Sequence, residues 1–125
     1  MKFTIAIYCS PLDSEKSETG FRFAQTIISQ GHSIYRLFFF SEGVLNAANV
    51  SPLSLRWQEL ITANDIDAIV CVASADKHGV TQAALEADSD SLAREKVLMP
   101  GFQIGGLGQL IDASIHSDRI ISFGN

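Results

Sequence analysis

Of the two cysteines in this chain, Cys71 is the residue best placed for covalent chemistry. It closes the apolar run Ile66-Asp67-Ala68-Ile69-Val70-Cys71-Val72 and is followed by Ala73-Ser74-Ala75-Asp76-Lys77-His78-Gly79. Such a run reads as a parallel strand that ends ahead of a helix start. Open α/β sheets place ligands and reacting groups at the carboxyl ends of their strands. A helix amino terminus and nearby cations, here Lys77 and His78, favour thiolate, the nucleophilic form of cysteine. The competing reading is simpler: a free cysteine in a Val/Ala-rich strand is often just a small buried hydrophobe.

Other constellations carry less. His78 lies seven residues beyond Cys71, near enough to serve as a base across one turn, but no third group is evident to orient it. His32 and His116 fall near element ends and read as solvated loop residues. The glycines from Gly101 to Gly108 lack the Lys-Ser/Thr ending of a phosphate loop and do not follow the first strand. They suit close packing of a helix on a sheet. Ser10, Ser14, Ser17 and Thr19 offer hydroxyls to a flavin phosphate, yet Asp13, Glu15 and Glu18 among them would repel one. A phospho-acceptor domain would need an aspartate where Cys71 stands. Two cysteines make neither a disulfide framework nor a metal site, so no metal and no cofactor is expected. Cys9 also ends a strand, and it could approach Cys71 only if strands one and three are neighbours.

The elements that must position these residues alternate strand and helix, the pattern of a mainly parallel sheet covered by helices. Strand one is Lys2 to Tyr8, and helix one runs from near Ser17 to Gln30, stopped by Gly31. Strand two, Ser33 to Phe40, ends in Phe38-Phe39-Phe40. Three consecutive aromatics cannot share one side of a strand, so both faces of the sheet must be covered. Residues 41–49 read as a loop, and Ser51-Pro52 opens helix two, with Leu53, Trp57, Leu60 and Ile61 as its buried face. Strand three holds Cys71. Ala75 to Arg94 reads as helical, split at Gly79 and broken again at Asp88-Ser89-Asp90-Ser91. Val97 to Met99 or Phe102 to Ile104 supplies strand four, a helix with Leu110, Ile111 and Ile115 spaced for burial follows, and Ile120 to Phe123 is the last strand.

The 125 residues, 46% hydrophobic and 18% charged, describe a single domain over residues 1–125 with a core of its own. The apolar excess suggests strands buried on both faces or an oligomeric surface. The net charge is −5 and the nine Lys and Arg are scattered, so no direct nucleic-acid binding is expected. No apolar run reaches the length of a membrane span, and the first residues form a strand rather than a leader. A cytoplasmic setting with reduced thiols is the expectation.

Taken together, the chain resembles the DsrE/TusD sulfur-relay proteins. Cys71-Val72-Ala73-Ser74-Ala75-Asp76-Lys77-His78-Gly79-Val80 looks like that family's active-cysteine segment. Phe21-x-Phe23-Ala24-Gln25 with Gly31-His32, Phe38-Phe39-Phe40 with Glu42-Gly43-Val44 and Asn46-Ala47, and Gly101-Phe102 with Gly106-Leu107-Gly108, Ala113-Ser114 and Asp118-Arg119 agree in order and spacing. The likeness covers nearly the full length. It implies a three-layer α/β/α fold with about five strands and a sulfurtransferase that carries sulfane sulfur as a persulfide on Cys71. It also implies TusB/TusC-like or DsrF/DsrH-like partner subunits, a TusA-like donor and a TusE- or DsrC-like acceptor. The downstream process is then tRNA wobble-uridine 2-thiolation, or alternatively dissimilatory sulfur oxidation; a third reading is a non-catalytic structural subunit. Ala73, Ser74, Ala75, Lys77 and His78 are the expected surroundings of the persulfide. TusD-like sequences usually carry an apolar residue and two arginines where this chain has Asp76-Lys77-His78, and Asp76 works against a thiolate. Cys9 matches no cysteine of the family.

Overall fold

The computed structural model describes residues 1–82 and 96–124. Its strands are β1 (Lys2–Ile7), β2 (Ser33–Phe39), β3 (Ala68–Cys71), β4 (Phe102–Gly105) and β5 (Arg119–Phe123). The helices among the described residues are α1 (Ser14–Ser29), α2 (Pro52–Asn64), α3 (Val72–Lys77) and α4 (Leu107–His116), with a 3-10 helix over Ser41–Ala47. The five strands form one all-parallel sheet in the order β4-β3-β2-β1-β5.

That order decides which face each helix covers. From β1 to β4 the chain steps across the sheet in one direction, and from β4 it returns past three strands to β5. Parallel crossovers are right-handed, so reversing the direction of travel moves the connecting helix to the other face. Accordingly α1 and α2 bring Phe21, Ala24, Ile27, Leu53, Trp57 and Ile61 to the main core, where they meet Ile5, Ile7, Leu37, Phe39, Ala68, Val70 and Phe102. The opposite face buries a smaller cluster of Phe38, Ile69 and Cys71, against which Phe40 and Leu110 of α4 pack. Phe38 and Phe39 are both fully buried, one on each face, as the aromatic run requires. Within the main core Trp57 is met edge-on by Phe21 at 5.0 Å and by Phe39 at 5.5 Å. Such pairs add about 0.5–1.5 kcal/mol each beyond the area they bury.

Several local expectations are refined. α1 starts at Ser14, three residues before Ser17, because Asp13 already takes an extended cap conformation. The segment 41–49, read as a loop, contains the 3-10 helix. It lies so close to β1 that a Cβ at Gly43 would stand 1.9 Å from the Ile7 carbonyl oxygen. Buried Asn46 fastens it there, donating through Nδ2 to the carbonyls of Cys9 (3.2 Å) and Gly43 (2.9 Å). Helix formation after β3 begins at Val72 rather than Ala75 and stops at Gly79, whose φ of +74° suits glycine. The remainder of the helical stretch expected to Arg94, with its break at Asp88–Ser91, lies outside the described residues. Of the two candidates for strand four, Phe102–Gly105 is the strand; Val97 and Leu98 make single bridges, to Thr81 and Ala48. Of the three α4 residues expected to be buried, Leu110 packs inward, whereas Ile111 and Ile115 are exposed, because the helix meets the sheet along its Leu110 side.

The approach of Gly43 to β1 leads to a specific expectation. Gly43→Ala forces backbone apart and should cost about 1–3 kcal/mol or more, as overpacking does. Gly106→Ala, where a Cβ would meet nothing within 4 Å, should be nearly neutral. Urea unfolding of the two variants beside the parent chain checks both.

Candidate functional site

Cys71 is the last residue of β3 and the N-cap of α3, with φ −61° and ψ 122°. β3 ends there because the small residues that follow take helical conformation at once. The first N–H groups of a helix have no intrahelical acceptor, so those of Val72, Ala73 and Ser74 cluster near the cysteine backbone. The thiol itself points to the α4 side of the sheet. It is 3% exposed, enclosed by Phe38 and Ile69 and flanked by Phe40 and Leu110.

The expected surroundings of the thiol divide into two groups. Ala73, Ser74 and Ala75 form the first turn of α3, directly beside Cys71. Ser74 and Ala75 are buried and structural: the Ser74 hydroxyl accepts from the Ser41 backbone N–H at 2.9 Å, and the Ala75 carbonyl accepts from Val80 at 2.8 Å. Lys77 and His78 sit at the other end, as last residue and C-cap of α3. Six helical residues span about 9 Å, so the two cations stand roughly one helix length from the thiol. His78 is therefore not brought within one turn of Cys71.

Two covering residues were not singled out from the sequence. Leu110 reaches Cys71 only because α4 returns across this face, a long-range consequence of strand order. Phe40 lies two residues beyond Phe38 and so on the same side of the extended chain; that periodicity was a usable signal. Phe40 stacks near Phe38 at 6.2 Å and meets Tyr8 edge-on at 5.4 Å. Beside it opens a hollow of about 290 Å³ lined by Tyr8, Phe40, Ser41 and Glu42.

The glycines after β4 serve the same site. Gly105 pairs with Cys71 across the β3–β4 ladder. A Cβ on Gly105 would lie 2.7 Å from Ile69 Cγ2 and 3.0 Å from the Gln109 side chain. Its absence lets α4 begin at the level of the cysteine, with the Gly106 N–H donating to Gln109 Oε1 at 2.8 Å. Close packing, rather than phosphate, accounts for this glycine.

Charge holds α4 from its first turn, at Gln109, to Asp112 and His116. Arg36 Nε donates to Asp67 at 2.6 Å, and its Nη1 donates to the Gln109 carbonyl at 2.7 Å and to Asp112 at 3.1 Å. The Tyr35 hydroxyl donates to Asp112 at 2.7 Å, and His116 Nδ1 lies 3.1 Å from the same carboxylate. Tyr35's hydrogen bond foremost, then the His116 and Arg36 charges, holds the Asp112 carboxyl below its ordinary value.

Cys9 is a different kind of residue. It is buried in the main core, on the opposite face from Cys71, and β2 lies between β1, which ends two residues before Cys9, and β3. Two interstrand spacings are about 9–10 Å, beyond the reach of a disulfide. Burial pushes the Cys9 thiol up from its ordinary value and Asp13 adds to this, against a hydrogen bond with Ser17 and the charge of Lys16. Of the hydroxyls around the first loop, those of Ser10 and Ser17 are turned inward: Ser17 donates to the Ser10 carbonyl and Ser10 Oγ accepts from Leu12 N–H, while Thr19 is exposed.

A three-layer α/β/α domain with a cysteine capping a short helix at the end of a central strand is a class of protein with known members. A family model described as DsrE/DsrF-like matches residues 1–123, and the chain belongs to that family. A relative bearing the name DsrE, from Allochromatium vinosum, is 32% identical over the whole of both chains. The sulfurtransferase TusD of Cronobacter sakazakii is 35% identical over 98% of this chain and all of its own, and a TusD homolog of Aliivibrio fischeri is 38% identical over 88% of each. The crystal structure of the ychN protein from E. coli shares the fold, with a TM-score of 0.75 and 21% identity over 98% of this chain and 99% of its own. Among the described residues no helix is long and apolar enough to cross a membrane.

The covers over Cys71 set its reactivity. Leu110→Ala should raise the native-state alkylation rate of Cys71 by about tenfold, since a truncation cost of ~1.4 kcal/mol or more corresponds to one decade, while Cys9 stays slow. Maleimide labelling read by peptide mass spectrometry separates the two cysteines. The Asp112 clip makes a second prediction. A carboxyl depressed in the folded state contributes stability above its unfolded pKa of about 4 and loses it below. Thermal stability should therefore fall more steeply from pH 6 to pH 3 in the parent chain than in Asp112→Asn.

Proposed function

We propose that this chain is a sulfurtransferase subunit of a sulfur relay, carrying sulfane sulfur as a persulfide on Cys71. The observation that supports this most is the placing of Cys71 as the N-cap of α3 at the end of β3, in a chain whose full-length relatives are named TusD sulfurtransferases. Cys71 thiolate attacks the outer sulfur of a donor persulfide, the new S–S bond forms as the old one breaks, and the donor thiolate leaves. Attack on the outer sulfur of the Cys71 persulfide by an acceptor thiolate then returns Cys71 as thiolate. No external oxidant or reductant is consumed in either step. The first-turn N–H groups of α3 offer local stabilisation to the anion. Lys77 and His78 are better placed to meet a docking protein than to touch the sulfur.

For reach by another protein, the thiol must be uncovered by displacement of Phe40 or the start of α4. The donor is then a TusA-like protein and the acceptor TusE- or DsrC-like, with related TusB/TusC-like or DsrF/DsrH-like subunits beside this chain. Transfer toward tRNA wobble-uridine 2-thiolation is the favoured setting, and dissimilatory sulfur oxidation is the alternative. The acidic balance of the chain suits a role in which another component handles RNA. The chain works in the cytoplasm under this reading. One observation favours a second reading: a thiol only 3% exposed is what an inert structural subunit would contain.

Intact-mass spectrometry after exposure to a sulfane-sulfur donor separates the readings. A gain of one sulfur in the parent chain and in Cys9→Ser, absent from Cys71→Ser, is the expected result. No gain in the parent chain, alone or mixed with its partner subunits, supports the structural subunit. A gain lost only in Cys9→Ser would move the carrier to the other thiol.

A further inference from the structure

We propose that the hollow lined by Tyr8, Phe40, Ser41 and Glu42 is a binding site for a guanidinium group. It lies beyond the carboxyl ends of β1 and β2, where open α/β sheets place their ligands. Its backbone is fixed before any guest arrives. The Tyr8 N–H donates to the Phe123 carbonyl at 2.8 Å, the Phe40 N–H to the Ile7 carbonyl at 2.9 Å and the Gly43 N–H to the Phe40 carbonyl at 2.9 Å. After Phe40, Ser41 takes a φ of +56°, in the left-handed region that residues other than glycine seldom adopt, and its N–H is tied to Ser74 Oγ at 2.9 Å. Strain of this kind persists only where the surroundings impose it, and it gathers at ligand sites.

The lining selects the guest. The Tyr8 and Phe40 rings meet at 5.4 Å and 73°, so they form a corner. A flat cation stacked on one ring turns its N–H edge toward the face of the other, and both faces are electron-rich. Glu42 is exposed, and among the described residues no hydrogen bond or ion pair engages its carboxylate. The Tyr8 and Ser41 hydroxyls make no hydrogen bond there either, and both can accept one. No basic side chain lines the hollow, so a phosphate would be repelled by Glu42 with no cation to offset it. One carboxylate is too few ligands for a resident metal. The volume of about 290 Å³ falls below the range of drug-sized or cofactor sites and suits a single planar group. Of the two common organic cations, ammonium is a compact, strongly hydrated point charge. Guanidinium is weakly hydrated, stacks on rings and pairs with a carboxylate through two parallel N–H bonds. The group can belong to a free small molecule or to an arginine side chain carried by a docking protein. Phe40 also packs against the cluster that holds Cys71, so a guest here touches one of the residues that cover the thiol.

Titration of the full chain with ethylguanidinium chloride, followed by NMR through the ring resonances of Tyr8 and Phe40, tests the proposal. Ethylammonium chloride at equal concentration controls for salt. Saturable shifts with a midpoint on the order of millimolar are expected, about fivefold weaker in Glu42→Gln. Tyr8→Leu, read at Phe40, should weaken binding about threefold. Should Tyr8→Leu unfold, Glu42→Gln carries the test, since Glu42 is exposed and an unchanged far-UV spectrum checks its fold. No saturable shift, equal affinity for ethylammonium, or an affinity unchanged in Glu42→Gln overturns the proposal. A second arm with the peptide acetyl-Gly-Arg-Gly-amide separates the sources. Tighter binding than ethylguanidinium upholds the site and points to an arginine presented by a protein; equal or weaker binding upholds it as the site of a free guanidinium compound. None of these measurements involves sulfur transfer, so they stand or fall separately from the persulfide reading.

Discussion

The handedness of parallel crossovers is the constraint on which most of this molecule depends. Three strand-to-strand steps in one direction bring α1 and α2 to one face of the sheet, and a single return step, from β4 to β5, commits α4 to the other. The thiol of Cys71 faces that second side because β3 alternates its side chains, with Ala68 and Val70 inward to the main core and Ile69 and Cys71 opposite. One ten-residue helix is thus the described cover for the face that holds the candidate nucleophile.

The fittings of α4 follow from that. Its start must come close to β3, and only a glycine at position 105 leaves room for Gln109 and Ile69 together. Its far half is clamped by Arg36, Tyr35 and Asp112. The half nearest Cys71 is held by aliphatic contact through Leu110, by the Gln109–Gly106 hydrogen bond and by Arg36 Nη1, which donates to the Gln109 carbonyl.

The two cysteines show how setting rather than residue type distinguishes candidate from bystander. Cys71 ends β3, Cys9 lies two residues beyond β1, and both are buried. Cys9 lies in the larger core with its thiol form favoured by burial and by Asp13, whereas Cys71 caps a helix beneath a cover of two side chains. The cations that recommended Cys71 on paper are carried to the far end of α3, since a six-residue helix converts sequence nearness into about 9 Å of separation.

Much was legible in local pattern. The alternation of elements gave an α/β sheet, the Phe38-Phe39-Phe40 run required two covered faces, Trp57 and Ile61 marked the core side of α2, and the change from apolar run to small residues located the strand end at Cys71. The family likeness rested on the same short motifs. These are properties of periods and caps, which depend on neighbours within a few residues. Strand order, the separation of Cys9 from Cys71 by β2, the cover supplied by Leu110, the approach of Gly43 to the Ile7 carbonyl and the choice of Phe102–Gly105 as β4 were decided only in three dimensions. Each depends on which distant segments pack together, and hydrophobic pattern alone carries no address for its partner.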